Sequence, residues 1–255
     1  MSKLEDNNVQ GLDKAASLWR ESKYPIAFTG AGISVPSGIP DFRSPGGLWS
    51  KYDPFEVASA YSLENNPKGV WQFLLDTSEL LDQSNPNPAH FAMAKLEQNN
   101  RLIGIITQNI DNLHQRAGSQ NVIEYHGNFQ RFYCQSCHNE KFLENIRQLT
   151  QDEIPLYCEK CGGLIRPDVV FFGESIPAKA HYASMDLVQK ADCILITGTS
   201  GEVSPANFLP REVKRNHGHV IEINLGQTSY YDITDVRFND SVDIILPRLV
   251  EKILA

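Results

Sequence analysis

Apolar residues along the chain gather into short runs that end in Gly, Thr or Asn, separated by stretches in which apolar positions recur every three or four residues. The runs Tyr24–Gly30, Leu102–Gln108, Val122–Gly127, Asp192–Gly198, His219–Asn224 and Ser241–Pro247 are rich in β-branched or aromatic residues and predict strands. Helical spacing marks Val9–Ser22, Pro88–Asn99, Pro177–Lys190, Pro205–Asn216 and Leu246–Leu254. Several of these open with Pro near the first turn, where a missing N–H is tolerated. Runs such as Cys193-Ile-Leu-Ile-Thr are apolar on both faces. Alternating with helices, they predict buried parallel strands in a doubly wound α/β sheet.

Two stretches break the alternation. From Pro40 to Gln83 no strand pattern appears, and Val70, Phe73, Leu74, Thr77, Leu80 and Leu81 stand at helical spacing. From Phe132 to Ile165 the chain carries four of its five cysteines. Both read as insertions that together form a smaller lobe. The expected organisation is a sheet domain from 1–39, 84–131 and 166–255, a helical insertion at 40–83, and a cysteine-bearing module at 132–165.

Composition narrows the classes. The chain has 255 residues, 41% hydrophobic and 21% charged, ordinary for a globular protein and enough to bury a sizeable core. The net charge of −8 argues against general nucleic-acid binding, which needs a basic footprint. No window reaches the ~20 apolar residues that span a bilayer. The polar, acidic N-terminus resembles neither a secretory signal nor a transit peptide. A reducing compartment, the cytoplasm, is the expected location, with no membrane partner.

Cys134-Gln-Ser-Cys137 and Cys158-Glu-Lys-Cys161 are separated by 20 residues, a spacing at which two tight turns present four thiolates to one tetrahedral Zn²⁺. Four thiolates leave no open position, so the zinc is structural. His138 adjoins the set as a competing ligand, and Cys193, inside an apolar strand, reads as core.

Candidate chemistry collects at strand ends. Gly30-Ala-Gly32 follows the first strand and would let backbone amides approach a pyrophosphate. Val35 occupies the third glycine position of the dinucleotide fingerprint, so unusual dinucleotide binding and a plain tight turn both fit. Asp41-Phe42-Arg43 follows a Pro-defined turn. Its guanidinium suits phosphate, and the bland alternative is a surface ion pair beside a core ring. Gln108-Asn109-Ile110-Asp111, Tyr125-His126-Gly127, Gly198-Thr199-Ser200 and Asn224 end further strands, where open α/β sheets place ligands.

These ordered motifs resemble the sirtuin family of NAD-dependent protein deacylases. The likeness rests on GAGIS at 30–34, GIPDFRS at 38–44, TQNID at 107–111, YHG at 125–127, the two cysteine pairs, FFGE at 171–174 and GTS at 198–200. It implies NAD as co-substrate and acylated lysine side chains of proteins or peptides as substrate, meeting between a large Rossmann-like domain and the small lobe. By resemblance, Gly30, Ala31, Gly32, Gly198, Thr199 and Ser200 line the phosphates. Asp41 and Phe42 cover the cofactor, Arg43 and Gln108 approach phosphate and ribose, and Asn224, Leu225 and Val242 lie on the adenosine side. Ile33, Asn109, Ile110 and Asp111 form the nicotinamide pocket. His126 is the general base, with Asn109 beside it in the catalytic set. Val169, Phe172, Gly173, Glu174 and Val203 resemble the edges between which an acylated peptide adds as a strand.

The chain departs from the family twice. Where the branch selective for acidic acyl groups carries Tyr and Arg three residues apart, this chain has Leu74 and Thr77. Neutral acyl groups, acetyl or longer, are therefore expected. Where many relatives carry Glu two residues after the ribose-binding Asn, it has Gly226. The competing readings are an NAD glycohydrolase or mono-ADP-ribosyltransferase on the same fold, and a non-catalytic zinc-ribbon adaptor. Phe42 and His126 favour the deacylase.

Overall fold

The computed structural model describes residues 3–42, 44–141 and 146–255. After helix α1 (Lys3–Glu21), strand β1 (Pro25–Thr29) enters a parallel sheet. The small-lobe helices α2 (Pro54–Val57), α3 (Ala60–Asn65) and α4 (Pro67–Gln83) follow, then α5 (Pro88–Gln98), β2 (Gly104–Thr107), α6 (Leu113–Arg116) and β3 (Val122–Glu124). Strands β4 (Gly127–Cys134), β5 (Glu140–Lys141) and β6 (Ile165–Val169) form a separate antiparallel sheet in the order β5-β4-β6. The chain returns through α7 (Ala178–Lys190), β7 (Cys193–Thr197), α8 (Leu209–Arg215), β8 (His219–Ile223), β9 (Val236–Phe238) and α9 (Val242–Leu254).

The large sheet runs β3-β2-β1-β7-β8-β9, parallel throughout. Side chains alternate across it. Ala27, Ile105, Leu195 and Ile221 face a core built with α1, α5 and α9, while Phe28, Ile106, Ile196 and Val220 face one built with α7 and α8. Both faces are dry, which is why the strands read as continuous apolar runs.

A third core joins the two insertions. Trp71 and Leu74 of α4 pack with Phe132, Cys134, Cys158 and Ile165. The Trp71 indole also donates to the Ile165 carbonyl at 3.1 Å. The expected fold class, a doubly wound sheet with a smaller lobe of cysteine module and helical insertion, is therefore found. Strand pairing of β4 with β6 continues outward to Gly127 and Val169, past the 132–165 segment.

One expected strand is a helix. Ser241–Pro247 is the start of α9, and the last strand is Val236–Phe238. The β-branched run Val242-Asp-Ile-Ile misleads, because the buried set Val242, Ile245, Leu246, Leu249, Val250 and Ile253 has helical spacing. Pro247 sits inside the helix and gives up one backbone bond.

At the carboxyl ends of β1 and β7 two loops nearly touch. Gly32 N donates to Gly198 O at 2.8 Å, and Gly30 N to Thr197 O at 3.1 Å. A Cβ on Gly32 would lie 2.6 Å from Gly198 Cα, and one on Gly198, whose φ is +68°, would lie 2.2 Å from Ile33 N. Gly198→Ala is expected to destabilise by about 3 kcal/mol or more, combining left-handed strain with a backbone clash. Thermal or urea unfolding measures it, and a midpoint like that of the parent chain would refute the close-packing account.

Candidate active site

Strand order reverses at β1 and β7, since β2 and β3 lie to one side and β8 and β9 to the other. Loops leaving those two carboxyl ends open a crevice, the place where open α/β sheets bind ligands. The structure brings Gly30, Ala31, Gly32, Gln108, Gly198, Thr199, Ser200 and Asn224 to this rim. Gln108 Nε2 donates to Thr199 Oγ1 at 3.0 Å, and Thr199 N donates to Asn224 Oδ1 at 3.0 Å. One polar chain thus links the ends of β2, β7 and β8.

Beneath the glycines lies a buried polar cluster. Asp111 accepts from Ser34 Oγ at 2.7 Å and from Leu113 N at 2.9 Å. Asn109 Nδ2 donates to Gly30 O at 3.2 Å and to Ser34 Oγ at 3.1 Å. Burial raises the pKa of Asp111 above the usual carboxylate value, although the Leu113 N–H and the Ser34 and Asn109 side chains oppose the shift. The next layer holds two imidazoles in edge-to-face contact, His90 and His114, with ring centroids 4.9 Å apart. Burial pushes His90 down to about 4 and His114 well below its ordinary value, so both are neutral at physiological pH. His114 Nε2 meets Thr29 Oγ1 at 3.0 Å, and Thr29 Oγ1 donates to Thr107 Oγ1 at 2.9 Å.

His126 follows β3 at the same rim. Its Nδ1 lies 3.1 Å from the Gln108 carbonyl. A carbonyl only accepts, so Nδ1 carries the proton and Nε2 keeps its lone pair. Burial lowers the His126 pKa, while the Gln108 carbonyl works in the opposite direction. The ring is therefore a neutral base of fixed tautomer at pH 7.

Other expected residues are placed differently. Ile33 and Val242 are buried with their side chains in the α1/α5/α9 core, so each offers a ligand only backbone. Leu225 is exposed. Arg43 lies outside the described residues. Asp41 accepts from the Ser44 amide at 2.7 Å. Phe42 stacks on Trp49 at 5.1 Å, and Trp49 meets Phe73 and Phe172 at 6.1 Å each. Trp49 also lines an open cleft of about 500 Å³ formed by residues 49–55.

The expected peptide edge is partly committed. Phe172 N donates to Ala58 O, and Phe172 O accepts from Ala60 N, both at 2.9 Å. Val169 O accepts from Arg166 Nη2 at 2.7 Å, and Val203 O from Asn207 N at 2.9 Å. Phe172 therefore contributes its ring rather than a free strand edge, and Glu174 N donates to Phe171 O at 3.0 Å, which leaves Gly173 as the exposed residue of the turn. The Glu174 carboxylate points inward, pairing with the buried Arg166 and accepting from Phe171 N at 2.8 Å. Sequence reading missed Arg166 and His114, along with Ser34, which stood inside GAGIS at 30–34 without a role.

All four sulfurs of Cys134, Cys137, Cys158 and Cys161 lie within 4.8 Å of one another. Cys134 and Cys161 are 3.5 Å apart, and Cys137 and Cys158 are 3.8 Å apart. Tetrahedral thiolates about 2.3 Å from zinc stand roughly 3.8 Å apart, so the cluster fits that ion. Backbone N–H groups of Cys137 and then Ser136 help draw the Cys134 thiol down to about 6, toward the thiolate a metal needs. His138 stands outside the cluster, its ring stacked on Tyr133.

Comparison with known proteins gives a consistent picture. A sequence model of the Sir2 family matches residues 30–205. The NAD-dependent protein deacylase of Pyrococcus furiosus is 44% identical over 245 residues, covering 95% of this chain and 98% of the relative. The NAD-dependent protein deacetylase of Caldivirga maquilingensis is 44% identical over 243 residues, covering 93% of each. A solved Sir2 homolog–NAD complex superposes with a TM-score of 0.89 at 40% identity, over 94% of this chain and 93% of that one. A Sir2 variant with a deacetylated p53 peptide and 3′-O-acetyl ADP-ribose gives a TM-score of 0.89 at 37% identity, over 94% and 98%.

Replacing Cys158 by Ser should release one equivalent of zinc and unfold the small lobe, since metal binding and folding of such a site are one equilibrium. Elemental analysis with thermal unfolding checks this. Full zinc content and an unchanged transition would contradict it.

Proposed function

The chain belongs to the Sir2 family, and from that premise we propose that it removes acyl groups from protein lysines, using NAD, transferring the acyl group to ADP-ribose and releasing nicotinamide. The observation that carries this reading is the neutral, tautomer-fixed His126 at the mouth of a crevice floored by Asp111, Ser34 and Asn109. NAD supplies an electrophilic ribose carbon with nicotinamide as leaving group, and the substrate's acyl oxygen is the nucleophile.

The chain's residues divide the remaining work. The small residues of Gly30–Gly32 and Gly198–Ser200 let the phosphates approach the two loops closely, Gln108 meets the ribose, and Asn224 the adenosine side. Asp111, held by Ser34 and the Leu113 amide, orients the carboxamide, with Asn109 alongside. His126 accepts a ribose hydroxyl proton at Nε2 and passes it on. Phe42 and Trp49 shield the reacting carbon from water. The turn at Gly173 receives the peptide backbone opposite the 201–203 segment. Segments 40–83 and 132–165 act as one lobe, with zinc holding the second. Among the described residues no helix is long and apolar enough to cross a membrane. A site that needs four reduced thiols suits the cytoplasm.

Acyl selectivity follows from α4. Leu74 and Thr77 are buried, and the neighbouring charge is the anionic Asp76, which accepts from the Tyr52 hydroxyl at 2.6 Å. A succinyl carboxylate there would lie near an acidic side chain, and neither Leu74 nor Thr77 can offer it a positive charge.

The decisive assay incubates the protein with NAD and an acetyl-lysine peptide and follows nicotinamide and O-acetyl-ADP-ribose by mass spectrometry. His126→Ala should abolish turnover while keeping the fold. Nicotinamide release without peptide would favour glycohydrolysis, and ADP-ribose left on protein would favour ADP-ribosyl transfer.

Because the His126 pKa is lowered, its base form survives below the ordinary value of 6.5, and activity is lost only as pH falls further. The acid limb of kcat/KM should therefore lie below 6.5, and a limb at 7 or above would contradict the assignment.

Acetyl peptide should outpace succinyl peptide by about 100-fold or more in kcat/KM, the effect of an unpaired buried carboxylate. Leu74→Tyr combined with Thr77→Arg should narrow that ratio. Equal rates for both peptides in the parent enzyme would refute the account.

A further inference from the structure

One buried carboxylate lies outside the roles assigned above. Glu222 interrupts the apolar run of β8 and is fully buried. Its Oε1 accepts from Asn224 Nδ2 at 3.1 Å and Thr228 Oγ1 at 2.5 Å, and its Oε2 accepts from Thr234 Oγ1 at 3.1 Å. Arg237 Nε stands 3.3 Å from Oε2 as an ion partner, while its Nη2 donates to the Gly226 carbonyl. A single carboxylate thus gathers the end of β8, the loop after it and β9.

Asn224 is caught between two partners of fixed polarity. Its Oδ1 accepts from the Thr199 amide, which only donates, and its Nδ2 faces the Glu222 carboxylate, which only accepts. A flipped amide would set NH₂ against N–H and oxygen against carboxylate, so one orientation survives. Thr228, held by Glu222, accepts in turn from Tyr230 N at 3.3 Å. The adjoining Ser229 braces the phosphate loop, donating to Ser200 O and Gly201 O at 2.9 and 2.8 Å.

We propose that Glu222 is a positioning residue for the adenosine half of the dinucleotide: it locks the Asn224 amide and steadies the 199–201 loop, setting affinity for the ADP-ribose moiety without touching the reacting carbon. The inference rests on the reading of NAD as co-substrate. A merely structural Glu222, there to neutralise Arg237, would affect folding and leave cofactor affinity unmoved in any variant that folds.

Calorimetric titration of the full chain with ADP-ribose separates the two, since it needs no turnover. Glu222→Met keeps the volume and removes the acceptor. It should weaken ADP-ribose by about tenfold or more, with the KM for NAD rising in step. The kcat at saturating NAD and the KM for acetyl peptide should stay within about twofold of the parent. Glu222→Gln retains Oε1 for Asn224 and should bind nearly as the parent does.

A second pair tests the amide lock directly. Asn224→Asp sets carboxylate against carboxylate and should weaken ADP-ribose strongly. Adding Glu222→Gln, whose NH₂ can donate to the new carboxylate, should recover most of the loss. Parent-like binding by Glu222→Met, or no recovery in the double variant, overturns the proposal. If Glu222→Met fails to fold, the recovery experiment decides alone. A parent chain that does not bind ADP-ribose would overturn the dinucleotide reading itself, and this inference with it.

Discussion

The close approach of two loops, Gly30–Gly32 after β1 and Gly198 after β7, is the constraint on which the site depends. Backbone meets backbone there with no room for a β-carbon. The contact lets Gly32 N reach Gly198 O and lets Asn109 reach Gly30 O from below. It also brings Thr199 within range of Gln108. Were the loops a side chain further apart, the polar links between β2, β7 and β8 would break, and each strand end would present its residues separately. Glycine is needed at these positions for proximity, and at Gly198 for a positive φ as well.

Burial beneath those loops controls proton states. Two imidazoles, His90 and His114, are kept neutral by loss of water. Asp111 is shifted upward by the same cause, against the pull of its Leu113, Ser34 and Asn109 donors. His126 is also shifted down, but its Nδ1 is anchored on the Gln108 carbonyl, which turns desolvation into a usable base rather than an inert ring. The protein thus sets His126 apart from the two inner imidazoles by what each nitrogen faces. His114 presents one nitrogen to Thr29, and its other, Nδ1, has no hydrogen-bond partner among the described residues.

Much of this was legible in the sequence. Apolar runs ending in small or polar residues located β1, β2, β7 and β8, and with them the rim carrying Gly30, Gln108, Gly198 and Asn224. The cysteine spacing located the metal cluster, since the chemistry of tight CxxC turns is local. What escaped depends on packing between distant segments. The apolar run at 242–246 carries strand propensity, and only its burial against α1 and α5 makes it helical. Phe172 resembled a free edge because nothing local reveals that residues 58–60 take up its backbone. Arg166 is invisible for the same reason, since its meaning lies in Glu174 and Val169. Glu222 did leave a signal, a single charge inside an apolar strand, yet its partners lie on the far side of a loop.

The small lobe shows how a structural metal can matter to a substrate surface it never touches. The 132–165 segment is short and polar, with an apolar contribution limited to residues such as Phe132, Ile146, Ile154 and Ile165 packed on α4. So little core needs a cross-link, and four thiolates supply one. Cys134 pairs with Ile165 at one end of the β4–β6 ladder, and Gly127 pairs with Val169 at the other. That ladder runs from the metal cluster to the segment Val169–Glu174, and Gly127 directly follows His126. A zinc in the four-cysteine cluster would therefore fix one end of a two-strand lever whose other end adjoins His126 and the turn at Gly173. Arg166, the second residue of β6, clamps that turn through Glu174 and Val169. Loss of metal should accordingly be felt at the active site through backbone register rather than through charge.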